Sequence, residues 1–337
     1  MTSLLNVNPS TDRNMVFAEQ PDYDPGKPTV LPSGGANAIG HMLGLLGDEW
    51  SLLIARNALA GTSRYAQFKA QLPISSWALT NRLGTLVQNG LLYRRRDPVR
   101  QTVVEYLPTP RSRQLWPVMV SMWAWESKWV AEHRDKLPRM RHETCQQQFE
   151  PLLRCACCQE IAGAADVSMQ LGPSGAWERC APVASTRRKS ERDPGLYPEM
   201  MSAFGNRWAA AVLLASFLGA TRFNEFYSQL GAPPGSLAGR LQTFCAIGVF
   251  STSPVAKDSE RAEYLLTDKG RALFPVLALS LNWAQRWFHA PEGDAITLMH
   301  NSCGEQFVAE LVCNQCFQRL EGSHVHAEPP QRMVDLP

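Results

Sequence analysis

No stretch of this chain approaches the roughly 18 consecutive apolar residues that a membrane-crossing helix requires, so no membrane span is expected. The first 40 residues lack a basic segment followed by an apolar core and a cleavage site. They are rich in Pro, Asn, Asp and Gly and read as a flexible lead-in rather than an export signal. Glycine-rich phosphate loops are missing, as is any nucleophile and base at a recognised spacing, which removes the commonest signs of an enzyme. Net charge is nearly absent too, with 33 Lys and Arg standing against 31 Asp and Glu. What remains is a 337-residue chain of ordinary apolar content, 45%, long enough for two domains that each bury a core.

Against that plain background stand nine cysteines. Six of them fall, with two histidines, into one pattern that occurs twice: His142-x2-Cys145-x9-Cys155-x2-Cys158 and His300-x2-Cys303-x9-Cys313-x2-Cys316. A tight turn presents both side chains of such a pair to one ion, and two pairs supply the four ligands of tetrahedral zinc. Each quartet is therefore expected to bind one Zn2+, two per chain, in a closed structural site. Three thiolates and one imidazole leave no position for water or substrate, which argues against a zinc hydrolase. With six cysteines so engaged, a reducing cytoplasm fits better than a secreted disulfide scaffold. Cys157, Cys180 and Cys245 are left over as packing thiols.

The offset between the quartets, 300 − 142 = 158, holds far beyond them. It carries Gly47 onto Gly205, Trp50 onto Trp208, Arg64 onto Arg222, Leu79 onto Leu237, Glu105-Tyr106 onto Glu263-Tyr264, Thr109 onto Thr267 and Trp129 onto Trp287 without one insertion. The chain is a tandem duplication of a module, about 40–158 and 198–316. Charge separates the copies: the first holds 16 basic and 9 acidic residues, +7, and the second 8 and 10, −2. A basic module implies a polyanionic partner, nucleic acid first.

Each copy runs through the same elements. In the first, Asp48 is expected to cap a helix to Leu59, Thr62 or Ser63 a second helix to Leu72, and Ser75 or Ser76 a third whose Leu79, Leu83 and Leu86 form a buried stripe. Two strands, 91–95 and 103–107, flank a polar loop at 96–102. Thr109 and Pro110 then open one long helix through Trp116, Trp123 and Trp129, whose apolar surface exceeds what a small domain covers. Three helices and a hairpin with a basic tip make a winged helix-turn-helix. The expected fold is mainly α with small β-wings: two tandem winged helix-turn-helix modules, each followed by a small Cys3His zinc-binding ribbon. Expected boundaries are a lead-in at 1–37, module 1 at 38–132, ribbon 1 at 133–180, a linker at 181–196, module 2 at 197–290, ribbon 2 at 291–322 and a flexible tail at 323–337.

Three segments carry a family resemblance: Gly47-Asp48-Glu49-Trp50; Ile74-Ser75 with Leu79, Arg82-Leu83, Leu86 and Gly90-Leu91; and Val104-Glu105-Tyr106-Leu107-Pro108-Thr109. They resemble the HxlR-type winged-helix transcriptional regulators of bacteria, and the ribbon with its Cys-x2-Cys pair is similar to the tail of longer members. The resemblance implies a dimeric DNA-binding regulator whose third helix enters the major groove while the wing touches the backbone. Oxidant-sensing members carry a cysteine about 13 residues before the Trp, where this chain has Asn37 and Gly195. Sensing by that cysteine is not expected. Most members have one module, so the tandem arrangement is unusual.

The sequence thus points to a sequence-specific DNA-binding transcriptional regulator, not an enzyme, cytoplasmic and nucleoid-associated, whose partner is double-stranded DNA. Ser75, Ser76, Trp77, Thr80 and Asn81 occupy the part of the third helix from which such proteins contact bases, and Asn81 can pair bidentately with adenine. Arg64, Arg94, Arg95, Arg96 and Arg100 are the candidate phosphate contacts, whereas the basic run Arg187-Arg188-Lys189 reads as a solvated linker. Module 2 has Ala238 and Gly239 where module 1 has Thr80 and Asn81, and reads as a degenerate copy serving as pseudo-dimer partner. The alternative is a protein-interaction or small-molecule-sensing scaffold built on the same fold. Homodimerisation of two chains and a small-molecule effector stay open at this level.

Overall fold

The computed structural model describes residues 26–97, 100–180, 197–254 and 262–329. Most of the lead-in, Gly195, the run Arg187-Arg188-Lys189, the wing residues Lys257, Asp258, Glu260 and Arg261, and residues 330–337 lie outside them. The chain divides into two compact units that do not coincide with the two repeats. One unit takes Leu53–Leu153 together with the chain from Glu310 onward; the other takes Gly26–Leu52 together with Arg154–Ala309. Each unit therefore contains chain from both copies.

In the first unit the helix Tyr65–Gln71 leads to the helix Ser76–Gln88, and the antiparallel hairpin Leu92–Arg96 with Val104–Pro108 follows. The strands sit one residue later than alternation predicts. The helix Ser76–Gln88 buries Leu79, Leu83 and Leu86, spaced to share one face, and Ser75 caps it by accepting the Ala78 N–H at 3.2 Å. The preceding helix is capped differently from the expectation at Thr62 or Ser63. Gln67 turns back to accept the N–H groups of Arg64 and Ser63, at 2.9 and 3.2 Å, while the Thr62 hydroxyl donates to Gln71. In the second copy Glu225 does the same for Arg222 and Thr221.

The single long helix expected after Thr109 is two pieces, Pro110–Arg113 and Trp116–Trp129. Pro117 is the reason: its nitrogen carries no hydrogen to continue the helix ladder, and its ring crowds the preceding turn, so the helix restarts with the proline in its first turn. Pro275 imposes the same break between Asp268–Arg271 and Phe274–Trp287. Thr109 ties the start of the first piece to the turn that enters the hairpin. Its hydroxyl accepts the Ser112 N–H at 3.3 Å and donates to the Gly90 carbonyl at 2.7 Å, and Thr267 repeats both bonds with Gly270 and Gly248.

The second unit carries the other copy of this plan: Arg207–Phe217, Phe223–Leu230, Pro234–Ala246 and the hairpin Phe250–Pro254 with Ala262–Leu266. It also takes in the first copy's leading helix, Ala38–Leu45, which packs on Phe274–Trp287 and Arg207–Phe217. Gly47 makes that approach feasible. A Cβ there would lie 2.5 Å from the Leu43 carbonyl oxygen and 2.8 Å from Arg207 Cα, so no larger residue fits without a backbone shift. Upstream, Thr29–Val30 pairs in parallel with Phe288–His289, and the Glu292 carboxylate accepts the Gly34 N–H at 2.8 Å and the Ser33 hydroxyl at 2.9 Å.

The segments expected to form ribbons within each repeat depart most from expectation. Arg139–His142 pairs antiparallel with Val325–Glu328, placing His142 opposite Val325. Ile296–His300 pairs antiparallel with Val167–Leu171, placing His300 opposite Val167. Each pair joins a strand of one repeat to a strand of the other, and the two pairs correspond under the 158-residue offset, since 142 + 158 = 300 and 167 + 158 = 325. Val325–Glu328 is thus a paired strand rather than part of a flexible tail. Gly322 lies beside it against the indole of Trp116, where a Cβ would approach to 3.2 Å.

Thr109→Val keeps shape but leaves the Gly90 carbonyl and the helix start unserved, so the unfolding midpoint should fall, by about 0.5–2 kcal/mol of stability; an unchanged midpoint in denaturant would remove Thr109 from its anchoring role. Hydrogen bonding from the Gly34 N–H, with the Ser33 hydroxyl and Arg179, holds the Glu292 carboxyl down at about 2. A depressed carboxylate stabilises the fold above its ordinary range and loses that contribution as pH falls toward 2. Glu292→Gln should accordingly speed amide exchange at Leu31, whose N–H bonds the His289 carbonyl at 2.8 Å, and should flatten its acid dependence.

Candidate metal clusters and nucleic-acid face

Four short turns present the Cys and His side chains, and they share one construction. In each, the residue after the second ligand has positive φ and returns its N–H to the carbonyl of the first ligand. Gln146 has φ 60° and bonds His142 at 2.8 Å; Gln159 has φ 68° and bonds Cys155 at 2.9 Å; Gly304 has φ 70° and bonds His300 at 2.8 Å; Phe317 has φ 56° and bonds Cys313 at 2.9 Å. Three non-glycine residues hold the left-handed conformation, at a cost of order 1–3 kcal/mol each. Closing the turn aims both side chains of a pair to the same side.

The quartets that result are crossed with respect to the repeats. His142 and Cys145 converge with Cys313 and Cys316, and Cys155 and Cys158 converge with His300 and Cys303, with all ligand atoms of a group within 4.8 Å of one another. All eight predicted ligands are gathered, but the quartets expected within one repeat are not formed. The spacing cannot distinguish the two groupings, because each His-x2-Cys pair is chemically identical to its copy 158 residues away. The strand pairing shows the same crossing: each histidine ends a strand that pairs with one from the other repeat, and Arg139–His142 also pairs with Gln147–Gln148 of its own.

The separations suit a tetrahedral ion. A metal–sulfur bond of ~2.3 Å places two sulfurs of a tetrahedron about 3.8 Å apart, and Cys145 Sγ lies 3.8 Å from Cys313 Sγ. The imidazole Nδ1 atoms face the thiols, at 3.5 and 3.4 Å from Cys145 and Cys316 in one group and 3.3 and 3.2 Å from Cys303 and Cys158 in the other. None of these cysteines is in a disulfide. His142, His300, Cys155 and Cys313 are buried, whereas Cys145, Cys158, Cys303 and Cys316 are half-buried, so two donors of each cluster are shielded from competing water. Each cluster can hold one metal ion and fills its coordination with protein ligands.

The leftover cysteines have separate settings. Cys157 is exposed, and its counterpart is Gln315. Burial pushes the Cys180 thiol up to about 11, and Cys180 lies 3.2 Å from the Asn37 amide nitrogen. Asn37, fully buried, caps the helix Ala38–Leu45 by accepting the Gly40 N–H at 3.0 Å and donates to the Ser174 carbonyl at 2.8 Å. The position where oxidant sensors have cysteine is here a structural cap.

The proposed reading surface of the first copy is exposed throughout: Ser75, Ser76, Trp77, Thr80 and Asn81 all face solvent, and Trp77 retains 76% of its surface. The Ser75 hydroxyl oxygen is already engaged in capping. Tyr65 donates to the Ser76 carbonyl at 3.2 Å, and hydrogen bonding with Thr80, then Ser76, lowers its phenol pKa. The arginines fall into two sets. Arg64 pairs with Asp97 at 2.5 Å and Glu105 at 3.7 Å, and Arg95 pairs with Glu105 at 2.8 Å. Arg94 lies over the Tyr106 ring at 5.8 Å, and Arg94, Arg96 and Arg100 are exposed. The Arg64–Glu105 contact recurs as Arg222–Glu263 at 2.8 Å, where it likewise ties a helix start to a hairpin strand. Sequence reasoning missed that role, although the recurrence of both residues under the repeat was its signal.

The corresponding helix of the second copy offers little. Its exposed start is Pro233, Pro234, Gly235 and Ser236, and a Cβ at Gly235 or Gly239 would meet nothing within 4 Å.

Comparison with known proteins agrees with this architecture. An uncharacterized HTH-type transcriptional regulator of Mycobacterium tuberculosis is 35% identical over 125 residues, which is 37% of this chain and 79% of that protein. One from Synechocystis is 35% identical over 95 residues, 28% of this chain and 70% of its own, and one from Bacillus subtilis is 32% identical over 92 residues, 27% and 85%. Among the described residues no helix is long and apolar enough to cross a membrane. The model of the HxlR-like helix-turn-helix family matches twice, at residues 45–134 and 203–292, and the chain belongs to that family with its domain in tandem.

Proposed function

We propose that this protein is a sequence-specific DNA-binding transcriptional regulator in which the first module reads DNA and the second is its degenerate partner. The observation that carries the reading is the contrast between the two exposed helix starts. Ser76, Trp77, Thr80 and Asn81 offer hydroxyl, indole and amide groups on one; two prolines, a glycine and a serine stand on the other. A helix of ordinary dimensions fits the major groove, and side chains on its first turns reach the base edges. Net charge supports the assignment, since the first copy is +7 and the second −2. The relatives named as HTH-type transcriptional regulators support the same class.

Within the reader, the ion pairs divide the labour. Arg64 and Arg95 are held by Asp97 and Glu105 and stiffen the wing; Arg94, Arg96 and Arg100 supply phosphate contacts. A reader paired with a bare copy favours an asymmetric half-site, and association of two chains would restore a symmetric one. The metal in each cluster is zinc in a structural role, as three thiolates with one imidazole suit it and leave no open position.

Replacing Arg94, Arg96 and Arg100 with Ala should weaken binding to every DNA sequence and lower the log-log salt slope by roughly 0.9 for each phosphate that is no longer neutralised. Asn81→Ala should instead relax preference at one base pair, at about 1–3 kcal/mol. Fluorescence anisotropy with specific and scrambled duplexes at two salt concentrations reads both; an intact, folded chain that binds no genomic fragment would sink the reading. Elemental analysis of the purified chain should give about two zinc ions by the four-ligand rule, and a folded, DNA-binding preparation free of metal would exclude the structural role.

A further inference from the structure

We propose that two metal ions act as staples between the repeats, each taking its His-x2-Cys pair from one copy of the module and its Cys-x2-Cys pair from the other. The inference rests on the metal-binding reading above and adds which residues share an ion and what the ions do. One staple joins His142 and Cys145 to Cys313 and Cys316; the other joins Cys155 and Cys158 to His300 and Cys303. They close loops of 316 − 142 = 174 and 303 − 155 = 148 residues. A crosslink across so long a loop restricts the unfolded chain strongly, because unlinked ends so far apart in sequence rarely meet.

The surroundings of both clusters are built for this. Beside the first, Glu143 N–H donates to the His324 carbonyl at 2.8 Å, and Arg141 and Gln148 both reach Glu328. Beside the second, Asn301 N–H donates to the Asp166 carbonyl at 2.8 Å, its side chain bonds the Ala165 carbonyl at 3.1 Å, and Ser168 bonds it at 2.6 Å. Glu143 and Asn301, and His324 and Asp166, are equivalent under the 158-residue offset, so the crossing is a property of the duplicated module and occurs in both directions. Neither copy of the module contains a complete site. An ion holds a strand of one repeat in register on a strand of the other, and withdrawing it frees the pairing of Arg139–His142 with Val325–Glu328 and of Ile296–His300 with Val167–Leu171.

Paired substitutions in the full chain separate this arrangement from quartets confined to one repeat. With crossed sites, Cys145→Ser with Cys313→Ser damages one site and leaves one intact, whereas Cys145→Ser with Cys155→Ser damages both. Quartets within a repeat give the opposite: none intact for the first variant and one for the second. The readout is cobalt titration in the presence of a competing chelator, counting sites by thiolate-to-metal absorption, with the mass of the metal-bound species measured under native conditions. One surviving site in Cys145→Ser with Cys313→Ser, on a single chain, is the expected result. A surviving site in Cys145→Ser with Cys155→Ser, or two ions held only by a dimer of chains, overturns it.

A second measurement needs no variant. Unmodified protein loaded with one equivalent of zinc is alkylated and mapped by mass spectrometry. Protection of Cys145 should rise and fall with Cys313 and Cys316, and that of Cys155 and Cys158 with Cys303. Protection of Cys145 that follows Cys155 instead refutes the staple. Wild-type protein that binds no cobalt or zinc fails the underlying metal reading, and is told apart by failing before any substitution is made.

Discussion

The two Cys/His clusters depend on the left-handed turn that follows each pair of candidate ligands. Gln146, Gln159, Gly304 and Phe317 take the same conformation, and each returns its N–H to the carbonyl four residues back. That turn converts two ligands two residues apart into a pair that faces one way. The turn alone does not choose the partner pair; in both clusters a strand that ends in histidine pairs with a strand of the other repeat. Local geometry makes the half-sites; long-range pairing accompanies their meeting.

Much of the module was legible in the sequence, for reasons that can be named. The buried stripe of Leu79, Leu83 and Leu86 follows from helical spacing, and the helix break at Pro117, though not expected, follows from proline chemistry. All eight residues of the two Cys/His clusters were readable because their spacing encodes a local turn. The grouping of ligands was not, since a gapless duplication makes the correct and incorrect partners identical in sequence. The strand Val325–Glu328 was missed for a related reason: a four-residue segment past the last ligand shows its purpose only when Arg139–His142 is laid beside it. Arg64 was read by its charge alone, whereas its neighbours Asp97 and Glu105 give it a place in the fold.

The two copies have diverged at their surfaces while keeping their joints. Thr109 and Thr267 hold equivalent bonds, Arg64 and Arg222 the equivalent glutamates Glu105 and Glu263, and Pro117 and Pro275 the same helix break. Exposed helix starts, by contrast, share almost nothing. Substitution at a joint breaks hydrogen bonds or packing that tie one element to another, whereas an exposed position that packs against nothing changes at little cost. The pattern is that of a scaffold retained in both copies beneath surfaces that have diverged.

The crossed strands carry a consequence for how the protein responds to its own abundance. Strands that pair between separate molecules associate by mass action, so the paired fraction falls on dilution. Here Arg139–His142 and Val325–Glu328 belong to one chain, and each meets the other at a local concentration fixed by tethering rather than by expression level. The pairing of these two strands is therefore the same whether the chain is present at a few copies per cell or at thousands.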